Sequence, residues 1–212
     1  MLKGPVIGPM VICGVSFLKS RLNYLSELGV KDSKKLSPNK RMNLAHFLKK
    51  NCLAYKLAIV PVNEIDQRVN KKISLNRLEE FKMAEIVNNL QAEEIYIDAA
   101  DVNEKRFALS IRKLLKFTPK LIVSEHKADE KYPIVSAASI IAKYERDSII
   151  AGLREIYGDF GSGYTSDRKT IEFMRNWMIK EKSIPPFVRR SWETSKVLAE
   201  ELIYNKKMTD FI

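Results

Sequence analysis

Glu94-Ile95-Tyr96-Ile97-Asp98 and, further on, Leu121-Ile122-Val123-Ser124-Glu125-His126-Lys127-Ala128-Asp129 are the stretches on which the fold turns. Each opens as a short β-branched and apolar run, and each reaches an acid at or just past its end. Between them Phe107, Ile111, Leu114 and Leu115 fall on one stripe of an amphipathic helix. Working outward, residues 6–18 are apolar and β-branched and predict a buried strand from about Met10. Cys52–Val62 predicts another strand, closed by Pro61. Ser37-Pro38 starts a helix with Leu44, Ala45 and Leu48 on its apolar stripe. Ser74–Leu90 is a long helix, and the small, apolar run Ser136–Ile150 is a helix packed closely on something flat. Gly158–Thr165 is a glycine-rich loop, after which Ser166 caps a helix carrying Ile171, Met174, Trp177 and Met178. Pro185-Pro186 breaks the chain before a last helix with Val197, Leu198, Leu202 and Ile203. Strands followed by strands alternating with helices predict an α/β protein, a sheet with helices on both faces. The expected division is a core over 1–150, including the basic loop and helix 31–50, and a C-terminal helical segment over 151–212.

Composition narrows the function classes. The chain has 212 residues, 45% hydrophobic and 30% charged, which fits a folded protein with a sizeable core. No apolar run approaches the roughly 18 residues that a membrane span needs. The apolar first 18 residues are punctuated by Pro5, Gly8, Pro9 and Gly14 and do not read as a signal peptide. Cys13 and Cys52 are too few for a disulfide scaffold, which points to a reducing, cytoplasmic setting. Lys and Arg number 37 against 26 Asp and Glu, a net charge of +11 that points to a polyanion, nucleic acid ahead of a membrane surface. Lys31–Lys50 is the most basic stretch, seven cations against Asp32, and phosphate contact is its favoured role over a merely solvated face.

Asp98 and Asp129 stand where open α/β sheets place ligand sites, at the carboxyl ends of strands. Two carboxylates brought together there need a cation between them, and a divalent ion shared with phosphate oxygens is the usual answer. Alternatively each acid caps a turn or helix, the reading that local sequence alone favours. Asp101 is a rival and also a natural helix-entry residue. His126 without a matching pair is a weak zinc signal, and neither cysteine has a partner at ligand spacing. Tyr164, beside Gly161 and Gly163, either stacks on a sugar or base or packs over the neighbouring helix.

Taken in order, these pieces resemble ribonuclease HII, most nearly its archaeal form. The residues that carry the resemblance are Gly4-Pro5-Val6-Ile7-Gly8-Pro9-Met10-Val11, Asp32-Ser33-Lys34-Lys35-Leu36-Ser37-Pro38, Tyr96-Ile97-Asp98 and His126-Lys127-Ala128-Asp129. Tyr132-Pro133, Ser136–Lys143, Gly161–Asp167 and Arg189-Arg190-Ser191-Trp192 complete it. The resemblance implies a ribonuclease H-like fold, a central mixed sheet flanked by helices, with a C-terminal helical segment. It implies hydrolysis of RNA in RNA–DNA hybrids and incision 5′ of ribonucleotides embedded in DNA, with Mg²⁺ or Mn²⁺, by a monomer. Asp98 and Asp129 match the third and fourth of the family's metal-binding carboxylates, and Tyr164 the tyrosine that stacks on the neighbouring deoxyribose. Lys3, Gly4, Lys34, Lys35 and Lys143 fall in motifs that contact substrate. The sequence departs from the family at its start: the family has a short strand and then Asp-Glu-Ala-Gly-Arg-Gly-Pro, where this chain reads Met1-Leu2-Lys3-Gly4-Pro5. The first two carboxylates thus have no counterpart, and Lys3 replaces a planar Arg fork with a point charge. The expectation is an enzyme by descent whose chain as given is impaired; the alternative is a catalytically inactive protein that binds hybrid duplex.

Overall fold

The computed structural model describes residues 4–30 and 36–204. The chain divides into two compact units. One comprises Val11–Ile59 and Ile73–Asp147. In it β1 (Met10–Ser16) pairs with β2 (Ala54–Val60), and β3 (Glu94–Asp98) pairs with β4 (Leu121–Glu125). The β3–β4 ladder is parallel, with Glu94 opposite Leu121 and Asp98 opposite Glu125. The α/β architecture, strands flanked by helices, is as expected; among the described residues the ladders are two two-stranded pairs. A cavity of about 340 Å³ is lined by residues of both β1 and β3.

Helices cover these strands. α5 (Glu104–Leu114) starts at Asn103, whose side chain accepts from Arg106 N at 2.9 Å. Its Phe107 and Ile111 are fully buried against Ile95 and Ile97 of β3, as the stripe predicts. Burial of that kind stabilises by about 1.5–3 kcal/mol per large side chain. α2 (Pro38–Asn51) is capped by Ser37, and its Ala45 and Leu48 join Val15, Ala137, Ile140 and Ile141 in a second cluster. The last three lie on α7 (Pro133–Tyr157), where buried Ser136 donates to Val30 O and its small size lets the helix approach closely. α1 (Leu22–Glu27), which the sequence reading did not anticipate, buries Leu25 in the same cluster. α4 (Leu75–Leu90) is capped by Ser74, and the one-turn α6 (Ala128–Lys131) follows β4.

The other unit contains the chain up to Met10, Val60–Lys72 and everything from Ser148 onward. Pro61 does not merely end a strand; it is the N-cap of α3 (Val62–Asn70), so β2 stops at Val60. α8 (Arg168–Glu181) is capped by Asp167 rather than Ser166, because the Asp167 carboxylate accepts from both Lys169 N and Ser162 N, at 3.0 and 2.6 Å. α9 (Glu193–Ala199) runs into a π turn at Glu200–Tyr204. Phe187 packs among Tyr157, Phe160, Phe173 and Trp177, with ring centroids 4.4–6.1 Å away. Buried Arg189 donates to Gly8 O at 2.9 Å and Pro9 O at 3.0 Å and lies 4.7 Å from the Trp192 ring. Arg189 and Trp192 therefore fasten the tail to the first residues of the chain. No helix among the described residues is long and apolar enough to cross a membrane.

Candidate active site

The β3–β4 register carries both strands to their ends together, so Asp98 sits at the rim of a two-strand platform. Lys127 adopts the left-handed conformation (φ 55°) and turns the chain back into α6. That turn brings Ala128 N to 3.2 Å from Asp98 Oδ1 and sets Asp129, the next residue, beside it. Asp98 and Asp129 both line the cavity, the first exposed and the second buried. The turn-capping and ligand readings of Asp98 are therefore compatible, since the same carboxylate that accepts from Ala128 also faces the cavity. Ser139 and Ala142 of α7 line it too. Lys143 follows Ala142 directly and lies one turn from Ser139, on the neighbouring helical surface.

The other acids nearby have different employment. Asp101 is buried and accepts from Arg106 Nη2 at 2.7 and 2.5 Å and from Asn103 N at 3.0 Å. The Arg106 guanidinium, then the Asn103 N–H, holds its carboxyl below the usual range. Glu125 is paired with Lys131 and accepts from the Tyr132 hydroxyl at 3.0 Å; those two partners, Lys131 first, depress its carboxyl. His126 is engaged as well: its backbone N–H donates to Glu104 Oε1 at 2.6 Å, and its ring Nε2 lies 3.2 Å from Val102 O. Burial pushes the Cys13 thiol, on the cavity wall, up to about 12, which leaves it protonated and a poor ligand.

The glycine loop belongs to the other unit. Gly158, Gly161 and Gly163 all have positive φ, and Thr170 Oγ1 accepts from Gly163 N (3.0 Å) while donating to Phe160 O (2.8 Å). Gly163 O in turn takes the N–H groups of Val6 and Ile7 at 2.8 and 3.1 Å. Tyr164 is 42% exposed on this frame, so packing over a helix is not its whole role. Gly4, at φ 138°, opens the same braced segment. Lys3, Lys34 and Lys35 lie outside the described residues. The basic face is smaller than its sequence implied: Arg41 pairs with Asp147 at 2.8 Å and Lys49 with Glu145, both acids being on α7. His46 meets the Tyr144 hydroxyl at 2.9 Å.

Residues 3–195 match the family model described as ribonuclease HII. The ribonuclease HII of Methanocella arvoryzae is 46% identical over 202 residues, 95% of this chain and 89% of that protein. The chain belongs to the ribonuclease HII family. The crystal structure of ribonuclease H2 from Pyrococcus horikoshii superposes with a TM-score of 0.90 at 42% identity, covering 97% of this chain and 96% of that one. The ribonuclease HII of Archaeoglobus fulgidus, solved in complex with PCNA, gives a TM-score of 0.83 at 41% identity, over 98% and 95%. A ribonuclease HII depends in general on divalent metal, and the donor set here bears on that directly. Two carboxylates offer the hard oxygen ligands that such an ion takes, with phosphate oxygens and water completing the shell. Among the described residues no group of three His, Cys, Asp or Glu side chains comes together. Asp98 and Asp129 are carboxylates of that donor type, and both line the one cavity.

Sequence reasoning missed the wall residues of this site, above all Ser139 and the full length of β1. The signal for Ser139 was present in the small-residue run of α7, which marks a close approach. Nothing local marked β1.

Proposed function

We propose that this ribonuclease HII hydrolyses RNA in RNA–DNA hybrids and incises 5′ of ribonucleotides embedded in DNA, as a monomer in a reducing cytoplasm, with Mg²⁺ or Mn²⁺ held by Asp98 and Asp129. The observation that carries the proposal is that both residues line a single cavity, with Ala128, the neighbour of Asp129, bonded through its N–H to Asp98 at 3.2 Å. A divalent ion bound there supplies charge stabilisation for an in-line displacement at phosphorus. The chain's own residues do the rest. Asp98, at the end of a rigid ladder, and buried Asp129 would hold that ion in a fixed place. Lys143, a turn from Ser139, supplies a positive charge for the backbone beside it. Tyr164 offers a ring for stacking on a sugar next to the junction, and Gly4 allows the backbone close approach to a 2′-hydroxyl, the group that separates RNA from DNA. Lys3, Lys34 and Lys35 take phosphate contacts in this reading.

The test is cleavage of a DNA duplex carrying one ribonucleotide and of a continuous RNA–DNA hybrid, each with Mg²⁺, Mn²⁺ or chelator, beside an all-DNA duplex. Metal-dependent cuts confined to the two ribonucleotide-containing substrates are expected; metal-independent cutting, or cutting of the all-DNA duplex, would contradict the proposal. One observation favours a second reading, a protein that binds hybrid without cutting: no group of three His, Cys, Asp or Glu side chains comes together among the described residues. Salt-sensitive hybrid binding with no turnover in either metal would select it.

A further inference from the structure

A second groove, of about 410 Å³, lies between α5 and β4, and none of its residues lines the cavity that holds Asp98 and Asp129. α5 gives it Lys105, Ala108, Leu109 and Arg112; the start of β4 gives Leu121 and Ile122, with Lys120 just before them. The four helical residues stand at i, i+3, i+4 and i+7, a single face about 10 Å long. On that face the cations take the two ends and the apolar residues the middle. Lys120 adds a third cation beside Leu121. The lining is thus apolar residues and cations, with no acid among them.

Burial of α5 does not require this pattern. Phe107 and Ile111 already carry the helix onto β3, both fully buried. Leu109 and Leu121 are left 57% and 41% exposed, although both line one recess. A single exposed leucine is ordinary, but two in a cation-rimmed recess mark a contact site. Lys105 and Arg112 form no ion pair among the described residues. Lys120 pairs with Glu93 at 2.6 Å, but both side chains are largely exposed, so the pair is weak and readily exchanged. The walls are held firmly. Lys120 N and Leu121 N donate to Glu93 O at 2.8 and 3.2 Å. Asn88 closes the end of α5, donating to Leu114 O at 3.0 Å and accepting from Lys116 N at 2.7 Å.

We propose that this groove docks a short acidic segment of a partner protein, which inserts a large apolar side chain against Leu109 and Leu121 and sets carboxylates against Lys105, Arg112 and Lys120. Charge complementarity selects the occupant. A phosphodiester backbone would meet the cations but bury nothing on the leucines. A second copy of this chain, at a net charge of +11, would bring more positive charge to a positive rim. An acidic segment with an apolar anchor meets both demands: its carboxylates give steering and register, and its anchor gives affinity. The inference concerns binding and does not rest on the reaction proposed above.

The probe is a fluorescein-labelled peptide, Asp-Glu-Asp-Leu-Phe-Glu-Asp-Glu, titrated with the full chain at about 0.15 M salt, where long-range attraction is screened. Beside it run the same peptide with Leu and Phe changed to Ser, and the protein variants Leu109→Ser and Arg112→Glu. Both positions are exposed, so the variants should keep the parent's melting temperature. Fluorescence anisotropy should show saturable binding to the parent, weakened at least about tenfold by each of the three changes. Equal binding of the serine peptide would reduce the contact to general attraction by a cationic protein and overturn the proposal. Undiminished binding by either variant would overturn it as well, and so would no binding at all. A fall in hybrid-duplex affinity in Arg112→Glu, with no peptide bound by the parent, would assign the rim to nucleic acid instead.

Discussion

The β3–β4 strand ends and the glycine loop at 158–167 both present functional groups, but they hold them by different physics. At the strand ends, position comes from ladder register and the turn at Lys127, to which Asp98 adds one bond, from Ala128 N. In the loop, position comes from the backbone itself. Three glycines with positive φ, the Asp167 carboxylate and the buried Thr170 hydroxyl close it, and its Gly163 carbonyl also anchors Val6 and Ile7. The comparison teaches that function should be separable from stability at the strand ends and entangled with it in the loop.

Substitutions at four positions probe that contrast, the largest effect first. Asp129→Asn is expected to lower metal-dependent cleavage by at least about a hundredfold, since even groups that only orient a ligand cost 10–100-fold when lost, while the melting temperature stays near that of the parent. A matching fall in melting temperature would erase the contrast. Thr170→Val does the reverse. It leaves Gly163 N and Phe160 O without their partner, about 1–3 kcal/mol of lost stability read by urea denaturation, and hybrid affinity falls with it. Tyr164→Ala should weaken hybrid binding about tenfold at constant salt, whereas Tyr164→Phe keeps the ring and most of the affinity, as stacking worth about 1–3 kcal/mol requires. Equal losses in the two variants would shift the role from ring to hydroxyl.

The smallest effect is expected at Asp101. Arg106 depresses its folded carboxyl below the value in the unfolded chain. Its contribution to stability is therefore present above the unfolded pKa and is lost as pH falls through the folded one. Asp101→Asn should lower the melting temperature slightly at neutral pH, with the difference from the parent closing on the acid side. A gap that widens with acid would contradict the assignment of Asp101 to structure.

Legibility in the sequence followed locality. β3, β4, the Phe107–Ile111 stripe and the Ser37 cap rest on residues within a few positions of one another, and the structure shows each of them. α3 was hidden because Pro61 reads as a strand stop, although Val62, Ile65 and Val69 already carried a helical spacing. Asp167 displaced Ser166 as a cap through its second bond, to Ser162, which no cap rule contains. The place of Arg189 is set by the carbonyls of Gly8 and Pro9, some 180 residues away, which no local pattern reveals. Of the candidate site, the two carboxylates were legible as strand-end acids. The wall that β1 gives the cavity was not, because packing between distant strands leaves no mark on either one.

The central claim is that the fold gives Asp98 to the chemistry and Asp101, three residues away, to the architecture. Cleavage rates of Asp98→Asn and Asp101→Asn, measured side by side on a duplex with one embedded ribonucleotide in Mn²⁺, test it most directly. The account predicts that Asp98→Asn abolishes cutting in a folded protein and that Asp101→Asn cuts at close to the parent rate. Cutting by Asp98→Asn at the parent rate, or loss of cutting in Asp101→Asn alone, would contradict it.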